Sequence, residues 1–245
     1  MSISSKQIET ILKRLRQLFP NPGAMHLVDP YRTLVGVILS ARTRDEQVLK
    51  LLPDFFGAFP SPLALAHASE TDIRSTIPSI GMFRQKAKNL KKMAGDLVEQ
   101  FRGEVPKTME DLTSLAGVGR KTASVLLVAC FETPAIAVDT HVFRVTNRLG
   151  WVKTNTPEKT ETALLKLVPK KFQPLVNSAF VKFGRYVCIP GKPRCWMCPV
   201  KEYCAFNKKQ LTSPPNADEI KADIARRERE LEAMRERVTD LKPKA

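Results

Sequence analysis

The chain has 245 residues, 43% of them hydrophobic, with 40 Lys and Arg against 25 Asp and Glu and a net charge of +15. That length holds one large domain or two small ones, and the apolar fraction supports a packed core, which excludes a disordered polymer. No apolar run approaches the roughly 18 residues of a membrane span, and the N-terminal pattern lacks a signal-peptide core, so a cytoplasmic protein without membrane contact is expected. The charge is uneven. Residues 211–245 hold eight basic and eight acidic side chains, so the whole excess lies on the first 210. Such a body suits a polyanionic partner, nucleic acid first.

Apolar residues recur at helical spacing in 4–19, 45–57, 84–101, 121–131 and 158–168. Proline- and glycine-bearing connectors separate these runs, as in Phe59-Pro60-Ser61-Pro62 and Pro78-Ser79-Ile80-Gly81. Segments 33–39 and 135–138 are β-compatible but have no partner runs, so the predicted fold is all-α. After Gln210, Thr212-Ser213-Pro214-Pro215 reads as a linker and 217–241 as a charged helix. Its residues Ile220, Ile224, Leu231, Met234, Val238 and Leu241 follow heptad-like spacing, broken by Arg227. This narrow stripe suits a helix laid on the body or left mobile, with a short dimer seam as the alternative.

Residues 115–123, Leu-Ala-Gly-Val-Gly-Arg-Lys-Thr-Ala, carry the strongest signal. Gly117 and Gly119 permit a tight turn and close backbone approach. The apolar run that follows makes the turn a helix start, with Lys121 in the first turn. The helix dipole disfavours a cation there, so a ligand phosphate or a reaction is a reason for it. A P-loop is excluded, because Arg120 and Leu115 stand where glycines are required. Helix, glycine turn and helix form a hairpin whose N–H groups at Gly117, Val118, Gly119 and Arg120 suit a DNA backbone phosphate; an ordinary αα-corner has the same pattern.

Asp139 precedes Thr140-His141-Val142-Phe143-Arg144 and suits a helix N-cap, a role that leaves carboxylate lone pairs for chemistry. His141 suits packing or capping as well as catalysis. Cys188, Cys195, Cys198 and Cys204 lie within 17 residues. In a reducing compartment that cluster points to a metal site, and both zinc and an iron–sulfur cluster accept four thiolates. Lys192, Arg194 and Lys201 lie between them and favour thiolate. Cys130, inside an apolar run, suits a buried small hydrophobe.

Together, Leu115–Ala123, Val138–Arg144 and the cysteine spacing resemble the endonuclease III family of helix-hairpin-helix DNA glycosylases. Leu39-Ser40-Ala41, Asp45, Ile80-Gly81 and Gly184-Arg185-Tyr186 add to the likeness, which spans roughly residues 5–208. The resemblance implies a two-lobed fold: a six-helix barrel lobe over 23–133, an iron–sulfur lobe from 1–22 and 134–210, and the 211–245 tail outside both. It implies a [4Fe-4S] cluster on the four cysteines, and double-stranded DNA bearing damaged pyrimidines or abasic sites as partner of a nucleoid-associated monomer. It implies Lys121 as nucleophile and Asp139 as its acidic partner. Loop positions Arg42 and Met82 would fill the gap left by a flipped base, while Arg120 and Lys86 would contact phosphates. Lys86 also fits a solvated helix face. Two residues depart from the family: Arg42 stands where glutamine is usual, and Ala116 replaces a common proline. An adenine-mismatch glycosylase and a non-catalytic DNA-binding module are the alternatives; Lys121 disfavours the first, and Lys121 with Asp139 the second.

Overall fold

The computed structural model describes residues 3–21, 23 and 25–241. Among them the elements are α1 (Ser5–Leu18), α2 (Pro30–Ser40), α3 (Asp45–Ala58), α4 (Pro62–His67), α5 (Glu70–Thr76), α6 (Phe83–Phe101), α7 (Met109–Ser114), α8 (Arg120–Phe131), α9 (Thr140–Leu149), α10 (Pro157–Leu167), α11 (Gln173–Tyr186) and α12 (Ala217–Thr239), with short 3₁₀ turns and no strand. They gather into two compact units: Met1–Gly23 with Glu132–Arg227, and Ala24–Phe131 with Glu228–Ala245.

In the first unit, α1 opens with a capping box in which Ser4 and Gln7 satisfy each other's backbone N–H groups. Its stripe Ile8, Ile11, Leu12 and Leu15 is fully buried against a core that includes Val142, Val145, Phe180 and Phe183. Trp151 meets Phe180 edge to face at 5.1 Å between ring centres. α11 packs on α9 and α1. Segment 135–138 is buried but forms no helix or strand; Asn177 Nδ2 donates to the Ala137 carbonyl at 2.8 Å.

The second unit is built around α2, which packs against α3, α6 and α8. Asp29 caps α2 by accepting from the Arg32 N–H at 2.8 Å, and Pro30 takes the first helical position. Residues 33–39, β-compatible by sequence, are helical: Thr33, Leu34, Val35, Gly36, Val37, Ile38 and Leu39 are all buried. A helix apolar on every side shows no 3.6-residue stripe. α4 and α5 lie on α6, and α7 lies on α8.

α12 begins in the first unit and ends in the second. Ala217, Ile224, Leu231 and Val238, seven residues apart, are buried. Ile224 belongs to the first unit's core and Ile220 lies against it. In the second unit, Arg32 donates to the Val238 carbonyl at 3.0 Å and the Leu241 carbonyl at 2.6 Å, closing the end of α12. The stripe is thus covered within the chain, the first of the two expectations for it.

Candidate functional site

The glycine hairpin lies in the second unit. α7 ends at Ser114, residues 115–119 turn, and α8 starts at Arg120. Gly117 has φ +81°, and a Cβ there would lie 3.0 Å from Asn89 Nδ2, so both conformation and space require glycine. Gly119 is exposed, with open space where its Cβ would be. Its carbonyl accepts the Ala123 N–H at 2.9 Å, closing the first turn of α8. That turn aims its leading N–H groups away from the helix. The Val118 N–H is already spent on the Leu115 carbonyl at 3.1 Å, and its side chain is buried. Val118 therefore anchors the turn, and the outward donors begin at Gly119. Lys121 is exposed, and among the described residues its amine has no hydrogen bond or ion pair.

Two further loops of the same unit meet. Arg42 (φ +55°) follows α2 and Met82 (φ +60°) precedes α6; both are left-handed non-glycine residues. Met82 is 58% exposed. Arg42 is exposed too, and among the described residues its guanidinium has no partner. A Cβ on Gly81 would lie 3.7 Å from both the Arg42 carbonyl and Thr43 Oγ1, so the loops are close neighbours. Lys86 is not on a solvated face and cannot reach a phosphate from where it sits. It is 6% exposed and its Nζ donates to the carbonyls of Leu39 and Ala41, each at 2.7 Å, and to Thr43 Oγ1 at 3.0 Å. Burial pushes Lys86 down to about 8.

Asp139 and the cysteines lie in the first unit. Asp139 caps α9: its Oδ1 accepts the N–H groups of His141 at 2.9 Å and Val142 at 2.8 Å. Among the described residues Oδ2 accepts no hydrogen bond, so half the carboxylate stays available. His141 is packed against Gly184, where a Cβ would come within 2.9 Å of the His141 Cβ. Burial pushes its imidazole down, opposed by Asp139. His141 Nδ1 is 3.1 Å from Arg144 Nη2.

Cys188, Cys195, Cys198 and Cys204 line one cavity, walled by Leu149, Phe183, Val187 and Phe206 and approached by Arg148, Lys201 and Lys209. All four cysteines line this space; among the described residues no three Cys, His, Asp or Glu side chains gather about a single ion. Burial pushes the Cys198 thiol up to about 12 and Cys204 upward as well. Two arginines of α9 tie the loop down. Arg144 donates to the carbonyls of Cys188 at 3.1 Å and Gly184 at 2.9 Å. Arg148 donates to the Ile189 carbonyl at 2.7 Å and lies 3.6 Å from Cys188 Sγ. Arg194, expected beside the thiols, instead donates to the Tyr186 carbonyl. Arg148 is absent from the sequence-based expectations; its one signal is its place four residues after Arg144 on the same helix.

An all-helical chain with a glycine hairpin, a lysine at the following helix start and a four-cysteine cavity has the features of a helix-hairpin-helix DNA repair protein. The profile of the HhH-GPD superfamily of base excision DNA repair proteins matches residues 35–170. The chain is 43% identical over 203 residues to the endonuclease III of Thermotoga maritima, covering 83% of this chain and 94% of that one. It is 38% identical over 206 residues to that of Escherichia coli K12, covering 84% and 97%. It is also similar to a solved structure of a trapped endonuclease III–DNA covalent intermediate, with TM-score 0.76, 35% identity, and 83% and 96% covered. The chain belongs to the HhH-GPD superfamily of base excision DNA repair proteins and, within it, to the endonuclease III family. It is a DNA glycosylase of base excision repair.

Proposed function

We propose that this glycosylase removes oxidised or ring-saturated pyrimidines from duplex DNA and then cuts the strand through a Schiff base on Lys121. The observation that carries this reading is Lys121 itself: an exposed amine, without a partner among the described residues, at the start of α8 and directly after a turn whose Gly119 is open to close approach. The Gly119 end of the hairpin holds a backbone phosphate, with Arg120 beside it. The damaged nucleotide is flipped out, at least cost where the lesion already pairs badly. The Lys121 amine attacks C1′, the base departs with the electrons of the glycosidic bond, and the amine gives up a proton. The nitrogen lone pair then opens the sugar, the C1′–O4′ bond breaks with O4′ taking up a proton, and an iminium remains. Loss of a C2′ proton then expels the 3′ phosphate. Only the neutral amine attacks, so a group that accepts its proton is needed. The Oδ2 of Asp139 has that capacity, and its charge also stabilises the cationic sugar.

Cys188, Cys195, Cys198 and Cys204 would hold a [4Fe-4S] cluster. Four cysteines lining one cavity, with no three gathered about a single ion among the described residues, suit a group that brings its own irons and sulfides. When bound, the cluster supplies iron–thiolate bonds that fix loop 188–204. Arg42 and Met82 fill the duplex where the flipped base leaves it, Met82 as an apolar wedge and Arg42 as a donor to the orphaned base. The protein acts as a monomer on the nucleoid.

Borohydride tests the reading. Wild-type protein mixed with duplex bearing an abasic site or an oxidised pyrimidine should yield a covalent adduct after reduction. Lys121→Ala should yield none. A wild type without adduct, or an undiminished adduct from the variant, overturns the lyase assignment.

A further inference from the structure

Lys86 is the most costly side chain of the second unit to explain. An ammonium loses its hydration on burial, and this one sits in the first turns of α6, next to the positive end of that helix. Both effects oppose a lysine. Its compensation lies on another element: Leu39 O and Ala41 O, at the negative end of α2, and Thr43 Oγ1 just beyond. These partners bracket Arg42 on both sides. On its own helix, the Lys86 N–H donates to the Met82 carbonyl at 3.0 Å. One residue thus grips the turn that carries Arg42 with its side chain and the turn that carries Met82 with its backbone.

Both turns need gripping. Left-handed backbone is unfavourable for arginine and methionine, and glycine would relieve it at either place. Glycine, however, has no side chain to enter a duplex. Gly81 neighbours Arg42 and Thr43 across a gap in which a methyl group would fit, so the tie between the turns is Lys86, which prevents them from drifting apart. We infer that Lys86 is a positioning residue that locks Arg42 and Met82 side by side as one rigid tip for opening the duplex. This rests on the glycosylase reading above. A lysine that merely closed the end of α2 would affect folding and leave duplex opening in the folded protein unchanged.

The test compares wild type with Lys86→Met, which keeps the stem and loses the ammonium, and Thr43→Val, which removes one acceptor from the other side. Each is given an oxidised pyrimidine in duplex DNA with 2-aminopurine opposite, and a single-stranded abasic oligonucleotide that needs no opening. Lys86→Met should excise the duplex lesion about tenfold more slowly or worse and lose the 2-aminopurine emission rise, while single-strand trapping stays within about twofold. Thr43→Val should show the same split at smaller size and decides the matter if Lys86→Met does not fold. In a Met82→Ala background, Lys86→Met should add less than about twofold, because the tip it holds is already blunt. If both variants match wild type on the duplex, or lose duplex and single-strand activity equally, the bracing role is overturned while the glycosylase reading stands. A wild type that traps neither substrate overturns the glycosylase reading and the bracing role with it.

Discussion

Gly117 rests against Asn89 so closely that a methyl group on it would lie 3.0 Å from the amide nitrogen and 3.1 Å from Cβ. The hairpin turn is thereby seated on α6. Gly117→Ala should cost about 1–3 kcal/mol from positive φ and crowding together, read as a lower urea midpoint. Gly119→Ala meets nothing and should leave stability within about 0.5 kcal/mol. Its loss should be in DNA affinity, because a methyl there blocks the approach of a phosphate. Binding titrations beside the unfolding curves separate the two glycines.

Asp139 caps α9, and the proposed mechanism gives it a second, separable duty in excision. Asparagine caps a helix as well as aspartate, so Asp139→Asn should keep the melting temperature while slowing excision about 100-fold or more. Asp139→Ala should lose the cap too, at about 1 kcal/mol. Single-turnover excision and thermal melting of both variants check this; equal melting of all three proteins would contradict the cap.

Arg148 ties α9 to the cysteine loop through Ile189 O and Cys188 Sγ, and its own carbonyl accepts from Cys204 Sγ at 3.4 Å. Groups that orient metal ligands are worth roughly 10–100-fold in metal affinity. Arg148→Met should therefore purify with less iron and acid-labile sulfide than wild type and lose both sooner to a chelator. Stoichiometric zinc without iron in the wild type would reject the cluster.

Lys86 makes stability depend on pH in a predictable direction. Burial holds it at about 8, below the ordinary lysine value. Between those two values the unfolded chain keeps a proton that the folded chain has released. Its contribution to stability therefore rises with pH across that window and is flat below it. The stability of wild type minus that of Lys86→Met should increase from about pH 8 to about pH 10, measured by urea unfolding. A constant or falling difference would contradict a Lys86 held below its ordinary value by burial.

α12 covers apolar surface, so removing it exposes that surface and forfeits the burial of its own stripe. Ile224, Leu231 and Val238 are 7%, 4% and 0% exposed. Ending the chain after Gln210 should lower the unfolding free energy by about 3 kcal/mol or more. Arg32→Ala should free the end of α12 alone, seen as earlier tryptic cutting at Arg235 and Arg237 with little change in the urea midpoint.

The helices that announce themselves in the sequence are those with one wet side. α1, α3, α6, α8 and α10 show a stripe, and the stripe is the buried face. α2 has no wet side and so loses its period. α11 buries Lys182 and Gln173 among its apolar residues, which breaks the pattern that would have marked it. The hairpin glycines, the Asp139 cap and the cysteine group were legible because short-range spacing defines them. Lys86 was not. Its partners lie 43 to 47 residues away, and a lone lysine on a striped helix looks like any solvated one. Long-range pairing of that kind leaves no local trace in a sequence.

The backbone at Arg42 and Met82 has a consequence for how this enzyme can change. Each left-handed non-glycine residue costs about 1–3 kcal/mol. Glycine or asparagine at either place should therefore make a more heat-resistant protein. Selection for thermal endurance alone would favour those replacements and, on the proposed role of these residues, produce a hardy protein that repairs DNA poorly. On the proposed role of Arg42 and Met82, the same two side chains that would enter the duplex hold down the melting temperature of this enzyme.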